Sequence, residues 1–353
     1  MFHKHDTMKK VKTILKIIMP LIAVICTIVF TPWVILRMWI SPLPDTVQEQ
    51  VEDVIKYGLN GIIVYTDQAG REQAFYSAGW YNRENKVPAD AHALFKIASI
   101  SKLYIAAATT MLISDSKLAL EDTLTGYFPG LAGRIEYANQ ITLRMLLQHR
   151  SGIPDWIDDP DFPWTTSLKD VDEYLELVLD EPADFKPGSR YDYSNTNYLL
   201  LGKILDKTLG YGHQQYIQGK ILAPLGLTQT YGSLVDVDTA LLSSGYHTDF
   251  EGDLKLLDNV SPGGSMIATT EDVGIFLRAL IDGTLFNDAE QDIYSSVYIY
   301  EHTGEWPGYS SIARYHEDID TVVILFVNTS GGNTWPIMNF AYRRIVKILR
   351  KIK

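Results

Sequence analysis

Strand-like segments occur near both ends of this 353-residue chain, and helix-like segments fill the middle. Apolar, β-prone runs at Gly61–Thr66 and Gln73–Ala78 flank a turn, and a second pair occurs at Ser311–His316 and Thr321–Val327. The intervening sequence has mainly helical periodicity. Because the two strand pairs lie far apart in sequence, they predict one α/β lobe assembled from both termini. A helical lobe at about residues 110–290 would be inserted into it, leaving a cleft between the lobes.

The helices are predicted from apolar residues that recur at spacings of three and four. One is predicted to start at Ser99, and the others lie at residues 46–57, 143–147, 171–179, 198–209, 272–280 and 335–352. The helices at residues 46–57 and 335–352 would flank the sheet. The hairpins predict that this sheet is antiparallel.

Twenty uncharged residues, 17–36, precede this domain, enough to cross a hydrocarbon layer of ~30 Å as a helix. Five lysines come before them and only Arg37 follows closely, so the positive-inside bias predicts a cytoplasmic N-terminus. The predicted order is a basic cytoplasmic tail at 1–16, a single transmembrane anchor at 17–36, a linker at 37–46 and an extracytoplasmic domain, extracellular or periplasmic, at 47–353. A cleaved signal peptide is the alternative, although the apolar run is longer than a usual signal and no clear Ala-x-Ala site follows.

Charge and cysteine content exclude several classes of partner and site. Residues 38–342 carry 19 basic and 42 acidic side chains, a net charge of −23, which argues against a nucleic-acid partner. Cys26, the only cysteine, lies inside the apolar run, so disulfides, thiolate zinc sites and cysteine catalysis are excluded from the outer domain. The histidines are scattered, and neither Gly-x-Gly-x-x-Gly nor His-Glu-x-x-His occurs, so no metal or cofactor is predicted.

Ser99 begins an apolar segment, and Lys102 follows three residues later. A helix N-terminus has free N–H groups and a dipole that favours developing negative charge. Residues three apart share a helical face, so the hydroxyl and the amine would lie within hydrogen-bonding reach, a weak nucleophile beside a base. Ser-x-x-Lys is a weak pattern by itself, and it recurs at Ser114–Lys117, where it lies at the far end of the same segment before a polar turn.

Two further elements occur downstream. Tyr193 and Asn195 lie in a loop rich in turn-forming residues, where an extended backbone would point both side chains the same way. His302, Thr303 and Gly304 precede the C-terminal strand pair. A cation, a hydroxyl and a glycine there suit a sheet edge that a substrate backbone approaches closely.

Taken in order, these elements resemble the signature of the serine β-lactamase and penicillin-binding-protein superfamily, which is Ser-x-x-Lys, a Ser-Asp-Asn element and Lys-Thr-Gly. Tyr193-Ser194-Asn195 and His302-Thr303-Gly304 are similar to its class C-like branch of serine hydrolases and D-alanyl-D-alanine carboxypeptidases, as are residues 146–154 and 261–266. The resemblance covers about Val47–Arg350 and implies a β-lactamase/transpeptidase-like α/β (α+β) fold.

The resemblance also implies catalytic roles. Ser99 would attack a carbonyl and form an acyl-enzyme. Lys102 and Tyr193 would share the proton transfers, and Tyr193 would act as a base only where nearby cations stabilise its phenolate. The backbone N–H groups of Ser99 and Glu305 would form the oxyanion hole.

Other residues would bind or orient the substrate. Asn195 would orient Lys102 and a substrate amide, and His302, Thr303 and Gly304 would form the substrate-binding edge. His302 stands where the family has lysine, so its charge would depend on pH. His149 is predicted to be structural and to close a loop.

The function these inferences favour is a membrane-anchored serine hydrolase acting on an amide, peptide or ester, with D-alanyl peptides of the cell wall as the first expectation. A β-lactamase or an esterase of small esters or lipids is the alternative, because all of these use the same acylation chemistry. The absence of a Glu-x-x-Leu-Asn pattern disfavours a class A β-lactamase. A non-catalytic ligand-binding receptor of the same fold is the third possibility. The expected partners are a small-molecule or peptide substrate and the membrane.

Overall fold

The computed structural model describes residue 16, residues 18–27 and residues 33–352. The chain divides into two units, residues 1–43 and residues 44–353.

In the first unit, residues 18–27 are helical and helix α1 spans Trp33–Ile40. Among all the residues described, no helix is long and apolar enough to span a bilayer. Residues 17 and 28–32 of the sequence-predicted anchor lie outside the described residues. Residues 37–40 of the predicted linker belong to α1.

The second unit contains the remaining elements. Helices α2–α11 span Val47–Ile55, Ser101–Ser114, Leu124–Tyr127, Leu143–Leu147, Val171–Glu176, Asn195–Leu209, His213–Ile217, Thr270–Asp282, Asp288–Val297 and Thr334–Leu349. Strands β1–β11 span Gly61–Gln68, Ala74–Asn82, Val87–Pro88, Phe95–Lys96, Thr230–Tyr231, Tyr246–His247, Ile267–Ala268, His302–Trp306, Tyr309–His316, Thr321–Val327 and Thr329–Ser330.

The main sheet has six antiparallel strands in the order β3-β2-β1-β10-β9-β8. The N-terminal hairpin pairs directly with the C-terminal one, with Ile63 opposite Phe326 and Tyr65 opposite Ile324. The sequence prediction of an antiparallel sheet built from both termini is therefore confirmed. Strands β4, β7 and β5 form a small antiparallel sheet, and β6 pairs with β11 in parallel.

Both faces of the main sheet are covered. Every residue of β10 is buried, as expected for a strand with helices on both sides. Ile63 and Tyr65 belong to the main core together with residues of α9 such as Phe276. Strand alternation directs Ile62 and Val64 to the other face, where α2 and α11 pack.

Helix α3 passes through the core of the domain. Its residues from Ser101 to Leu112 are all buried, which explains why this segment has no polar face in the sequence. It packs against α7, α8 and α10 in the helical region. Its N-terminus is thereby held between the sheet and the helices, and that is where Ser99 lies.

Candidate active site

Ser99 lies in a 3-10 turn, Ala98–Ile100, that connects β4 to α3. The α-helix begins at Ser101, two residues later than the sequence predicted. Ala98 has a φ of +46°, in the left-handed region that residues with a Cβ rarely adopt. The Ser101 hydroxyl donates to the Ala98 carbonyl at 2.6 Å and holds this turn. The Ser99 hydroxyl is therefore presented by a strained turn at the start of α3.

Lys102, in the first turn of α3, is completely buried, and its Nζ lies 3.0 Å from Ser99 Oγ. Nζ also donates to Asn195 Oδ1 at 2.8 Å and to the Gly263 carbonyl at 3.0 Å. Burial lowers the pKa of Lys102 to about 7, although the carboxyl group of Asp155 opposes the shift. A neutral amine has two N–H groups, and these two acceptors take them. The lone pair is then left for the Ser99 hydroxyl.

Asn195 is the first residue of α7, and both ends of its amide are held. Its Oδ1 faces Lys102, and its Nδ2 donates to Asp155 Oδ2 at 2.8 Å. Burial raises the pKa of Asp155, and hydrogen bonds from Asn195 and Ile157 oppose the shift. Asp155 thus determines which end of the amide faces Lys102. Sequence reasoning missed Asp155, because a lone aspartate in a loop carries no signal of its partner.

The Tyr193 hydroxyl donates to Ser99 Oγ at 2.9 Å. The backbone at Ser194 is extended, so the side chains of Tyr193 and Asn195 point the same way. Burial raises the pKa of Tyr193, although the hydrogen bond with Ser99 opposes the shift. A phenolate at this position is therefore disfavoured, even though Lys102 Nζ lies 5.1 Å from the ring centroid. At neutral pH Tyr193 is a phenol that can donate a proton.

His149 supports Tyr193 from behind and is buried. Its ring is stacked between Tyr193, with centroids 4.4 Å apart, and Tyr198, with centroids 5.1 Å apart. Its carbonyl accepts from Asp192 N–H at 2.9 Å, and its Nδ1 accepts from Ser194 N–H at 3.2 Å. Burial lowers the pKa of His149 to about 3, so the ring is neutral. This histidine closes a loop and also holds the segment that carries Tyr193.

Gly304, on edge strand β8, lies directly against the Ser99 turn. A Cβ at this position would lie 2.3 Å from the Ile97 carbonyl oxygen and 3.1 Å from the Ser99 nitrogen, so only glycine permits the approach. Thr303 precedes it on β8, and strand alternation turns the Thr303 side chain to the opposite face of the strand. The structure thus brings Gly304, but not the side chain of Thr303, to the Ser99 turn.

The N–H group of Glu305 follows on the same strand. Trp306 pairs with Tyr309 across a two-residue loop, and the residues that flank such a loop form a hydrogen-bonded pair. Hydrogen-bonded and non-hydrogen-bonded pairs alternate along an antiparallel ladder. Glu305, opposite Ser310, therefore directs its N–H away from β9 and towards the open edge of the sheet.

His302, the first residue of β8, carries a neutral ring. Its Nδ1 lies 2.5 Å from the Thr303 carbonyl oxygen, and its ring packs 6.2 Å from those of Tyr193 and Tyr298. Burial lowers the pKa of His302 to about 3, and the positive charge of Lys102 lowers it further. These shifts favour a neutral imidazole at pH 7, so the charge that the sequence made dependent on pH would appear only in acid.

A cavity of about 520 Å³ adjoins Tyr193 and His302. Its wall is formed by three segments, which begin at Leu147, Tyr191 and Ser295. Its volume is typical of a small-molecule site. A larger cavity, of about 650 Å³, is lined by Thr125 and residues 132–139 and 180–182, and none of the predicted catalytic residues lines it. The cavity beside Tyr193 is therefore the one connected with the chemistry of Ser99.

The second Ser-x-x-Lys pattern takes no part in this site. Ser114 is the last residue of α3, about 20 Å from the start of that helix at 1.5 Å per residue. Lys117 is exposed and lies 3.7 Å from a carboxylate oxygen of Asp115.

The sequence profile of the family described as Beta-lactamase matches residues 43–297. A putative D-alanyl-D-alanine carboxypeptidase of Escherichia coli (strain K12) is 31% identical over 52% of this chain and 45% of its own length. A penicillin-binding protein of Bacillus subtilis (strain 168) is 24% identical over 76% of this chain and 68% of its own length. The chain spans about half the length of the Escherichia coli (strain K12) protein and of other curated relatives that it matches.

Solved structures share the fold. The D-amino acid amidase from Ochrobactrum anthropi SV3, complexed with D-phenylalanine, superposes with a TM-score of 0.78 at 22% identity, covering 89% of this chain and 100% of the amidase. A penicillin binding protein from Bacillus halodurans superposes with a TM-score of 0.71 at 23% identity, covering 87% of this chain and 99% of that protein. At these identities the likeness concerns the fold alone.

Proposed function

We propose that this chain, which belongs to the beta-lactamase family and is a serine hydrolase, forms an acyl-enzyme on Ser99. The observation that carries the proposal is the contact of Ser99 Oγ with two side chains, Lys102 Nζ at 3.0 Å and the Tyr193 hydroxyl at 2.9 Å. A serine hydroxyl needs a neighbouring base in order to attack a carbonyl. Lys102 can supply that base, because its lowered pKa leaves a large fraction of the amine unprotonated at neutral pH.

In the proposed acylation, Ser99 Oγ bonds to the carbonyl carbon while its proton passes to Lys102. Tyr193 gives its own proton to the leaving nitrogen or oxygen and regains one from Lys102. The bond between the carbonyl carbon and the leaving atom then breaks. The N–H groups of Ser99 and Glu305 would stabilise the oxyanion, each contributing about 3 kcal/mol. Water releases the acyl group in a second step.

The proposed substrates are amides and peptides of D-amino acids, and D-alanyl peptides of the cell wall are the first to test. The names of the carboxypeptidase relative and of the amidase structure support this class. Within this substrate class, the neutral ring of His302 favours amides that lack a terminal carboxylate. An uncharged imidazole attracts a terminal carboxylate less than the lysine found in the family's third element would.

Covalent labelling with a fluorescent penicillin tests the nucleophile. The full chain should be labelled, and Ser99→Ala should not. Ser114→Ala is the matched control, since Ser114 belongs to the other Ser-x-x-Lys pattern, and it should be labelled like the wild type. Labelling that survives Ser99→Ala would remove Ser99 as the nucleophile.

Relative turnover of four substrates tests the class. We expect a D-amino acid amide or a D-Ala-D-Ala peptide to be hydrolysed with a higher kcat/KM than nitrocefin or p-nitrophenyl acetate. Fastest turnover of nitrocefin would indicate a β-lactamase, and fastest turnover of the acetate would indicate an esterase. A penicillin adduct that never turns over, together with no hydrolysis of the other substrates, would instead support a ligand-binding receptor.

We further propose that residues 17–36 anchor the protein in a membrane, with the catalytic unit on the extracytoplasmic side. The support is the uncharged composition of this segment and the five lysines before it. After alkaline carbonate extraction of cells that express the full chain, the protein should remain in the membrane pellet. Externally added protease should digest the catalytic unit. Release by carbonate, or protection from the protease, would contradict the proposal.

A further inference from the structure

We propose that the cavity beside Tyr193 binds the leaving group of the substrate and that it accepts a bulky, aromatic group there. The inference rests on the proposed function, because it presupposes transfer of an acyl group to Ser99. It adds the chemical class of the amine or alcohol that departs.

Tyr193 connects the nucleophile with this cavity, because its hydroxyl contacts Ser99 Oγ and its ring lines the cavity wall. When the bond from Oγ to the carbonyl carbon forms, the bond to the leaving atom breaks, and that atom must receive a proton. The phenol in contact with Oγ is the nearby donor, so the leaving atom lies on the Tyr193 side. Whatever that atom carries then extends across the Tyr193 ring into the cavity.

Apolar and aromatic side chains dominate the wall. Tyr191 is 61% exposed and Ile299 is 53% exposed, although both are large and apolar. Val297 and Tyr298 continue the same wall from the end of α10. Exposed apolar side chains that cluster around a concave surface indicate a ligand site. Aromatic rings stack on rings, so an aromatic ligand fits this wall better than a small polar one.

The charges around the cavity disfavour a cationic leaving group. The residues that line it in the described structure include no carboxylate. Both imidazoles, His149 and His302, are neutral at pH 7. Arg150 is the one charged side chain among these lining residues, and its Nη2 donates to the Gly188 carbonyl at 3.1 Å. A leaving group with a positive charge would therefore find no counter-ion here, whereas a neutral aromatic amine or alcohol requires none.

The volume of the cavity limits the size of the group. An apolar cavity of about 150 Å³ is enough to hold benzene. The cavity described here, of about 520 Å³, is large enough for a fused pair of rings. An ammonia or methanol leaving group would leave most of it filled only by water.

A pair of substrates with the same acyl group tests the assignment. D-alanine amide releases ammonia, and D-alanine 2-naphthylamide releases a two-ring aromatic amine. The wild type should prefer the naphthylamide. Ile299→Trp should fill the cavity and lower kcat/KM for the naphthylamide by about tenfold or more, the scale of a disturbed apolar pocket. It should leave the kcat/KM for the amide within about twofold of the wild type, because ammonia does not reach this wall.

Leu241→Trp is the matched control, because Leu241 is 54% exposed, close to the 53% of Ile299, and does not line the cavity. Ser295→Phe, an exposed position on the same lining segment as Ile299, is a second filling variant. Equal losses on both substrates, or no loss on the naphthylamide in either filling variant, would overturn the proposal.

A binding measurement separates this inference from the proposed function. The fluorescence of 2-naphthylamine should report binding to Ser99→Ala, and binding should weaken by about tenfold when Ile299→Trp is added but not when Leu241→Trp is added. If this dependence holds while the wild type hydrolyses neither amide, the ligand class of the cavity stands and the proposed hydrolysis fails. Binding that is unaffected by Ile299→Trp would overturn the cavity assignment, whatever the catalytic result.

Discussion

Replacing Gly304 by alanine tests the alignment of edge strand β8 with the nucleophile. The new Cβ would lie 2.3 Å from the Ile97 carbonyl oxygen and 2.5 Å from Ser311 Oγ. Since Cβ contacts below 3.0 Å are essentially never seen, β8 must withdraw from the Ile97 backbone by at least the 0.7 Å that separates 2.3 Å from 3.0 Å. The N–H group of Glu305 moves with the strand.

The expected consequence is a slower acylation. A misplacement of about 1 Å in a catalytic site costs on the order of 10²-fold in rate, and losing one oxyanion donor costs about 10²–10³-fold. We therefore expect Gly304→Ala to lower the acylation rate about 100-fold, equivalent to ~2.7 kcal/mol of barrier. KM should change much less, because His302 is the only described residue lining the cavity beside Tyr193 that lies on β8.

The assay is the single-turnover rate of labelling by a fluorescent penicillin, together with thermal unfolding to verify the fold. Gly130→Ala is the matched control, since a Cβ there meets open space, and it should acylate like the wild type. Adding Ser311→Ala removes only one of the two close contacts, so it should restore little of the rate. A folded Gly304→Ala protein that acylates at the wild-type rate would refute the alignment, and full recovery on adding Ser311→Ala would attribute the effect to that hydroxyl instead.

Protonation of Lys102, support of Tyr193 and closure of the sheet can each be tested separately. Because burial lowers the pKa of Lys102 to about 7 and acylation requires the neutral amine, the labelling rate should fall about tenfold per pH unit below that value and level off above it. A rate that does not change between about pH 6 and pH 8 would contradict the assignment. Asparagine tolerates the positive φ of residue 149 but lacks the ring behind Tyr193. For D-alanine amide, whose ammonia leaving group does not reach the cavity that His149 also lines, His149→Asn should lower kcat about tenfold with KM nearly unchanged. His213→Asn, at another buried histidine, is its control, and a change confined to KM would instead indicate a binding role. Arg278→Met removes ion pairs with two aspartates beside β1 and β10 and should lower the free energy of unfolding in urea by about 2 kcal/mol, with activity per folded molecule retained. Unchanged stability would show that these pairs contribute nothing.

The long elements were predictable from periodicity. The hairpin strands near both termini alternate or run apolar over six or more residues, and most helices were placed within a few residues of their ends. The helix predicted at residues 46–57 is α2, and in the structure a capping box of Thr46 with Glu49 fixes its start. The two-residue strands such as β4 and β7 were not predicted, because a pairing that short has no period to detect and depends on which distant segment lies beside it.

The sequence by itself determined which chemical groups are available and in what order, namely a serine, a lysine, a tyrosine and a glycine-bearing edge strand. Tertiary structure decided how these groups behave. The pKa of Lys102 is lowered, that of Tyr193 is raised, and His302 is neutral, because each shift depends on burial and on neighbours far away in sequence. Asp155 likewise acquires its role only because the fold places it against Asn195. Residue types follow from the chain, whereas protonation states and the shape of the cavity follow from the packing of segments that the sequence separates by forty residues or more.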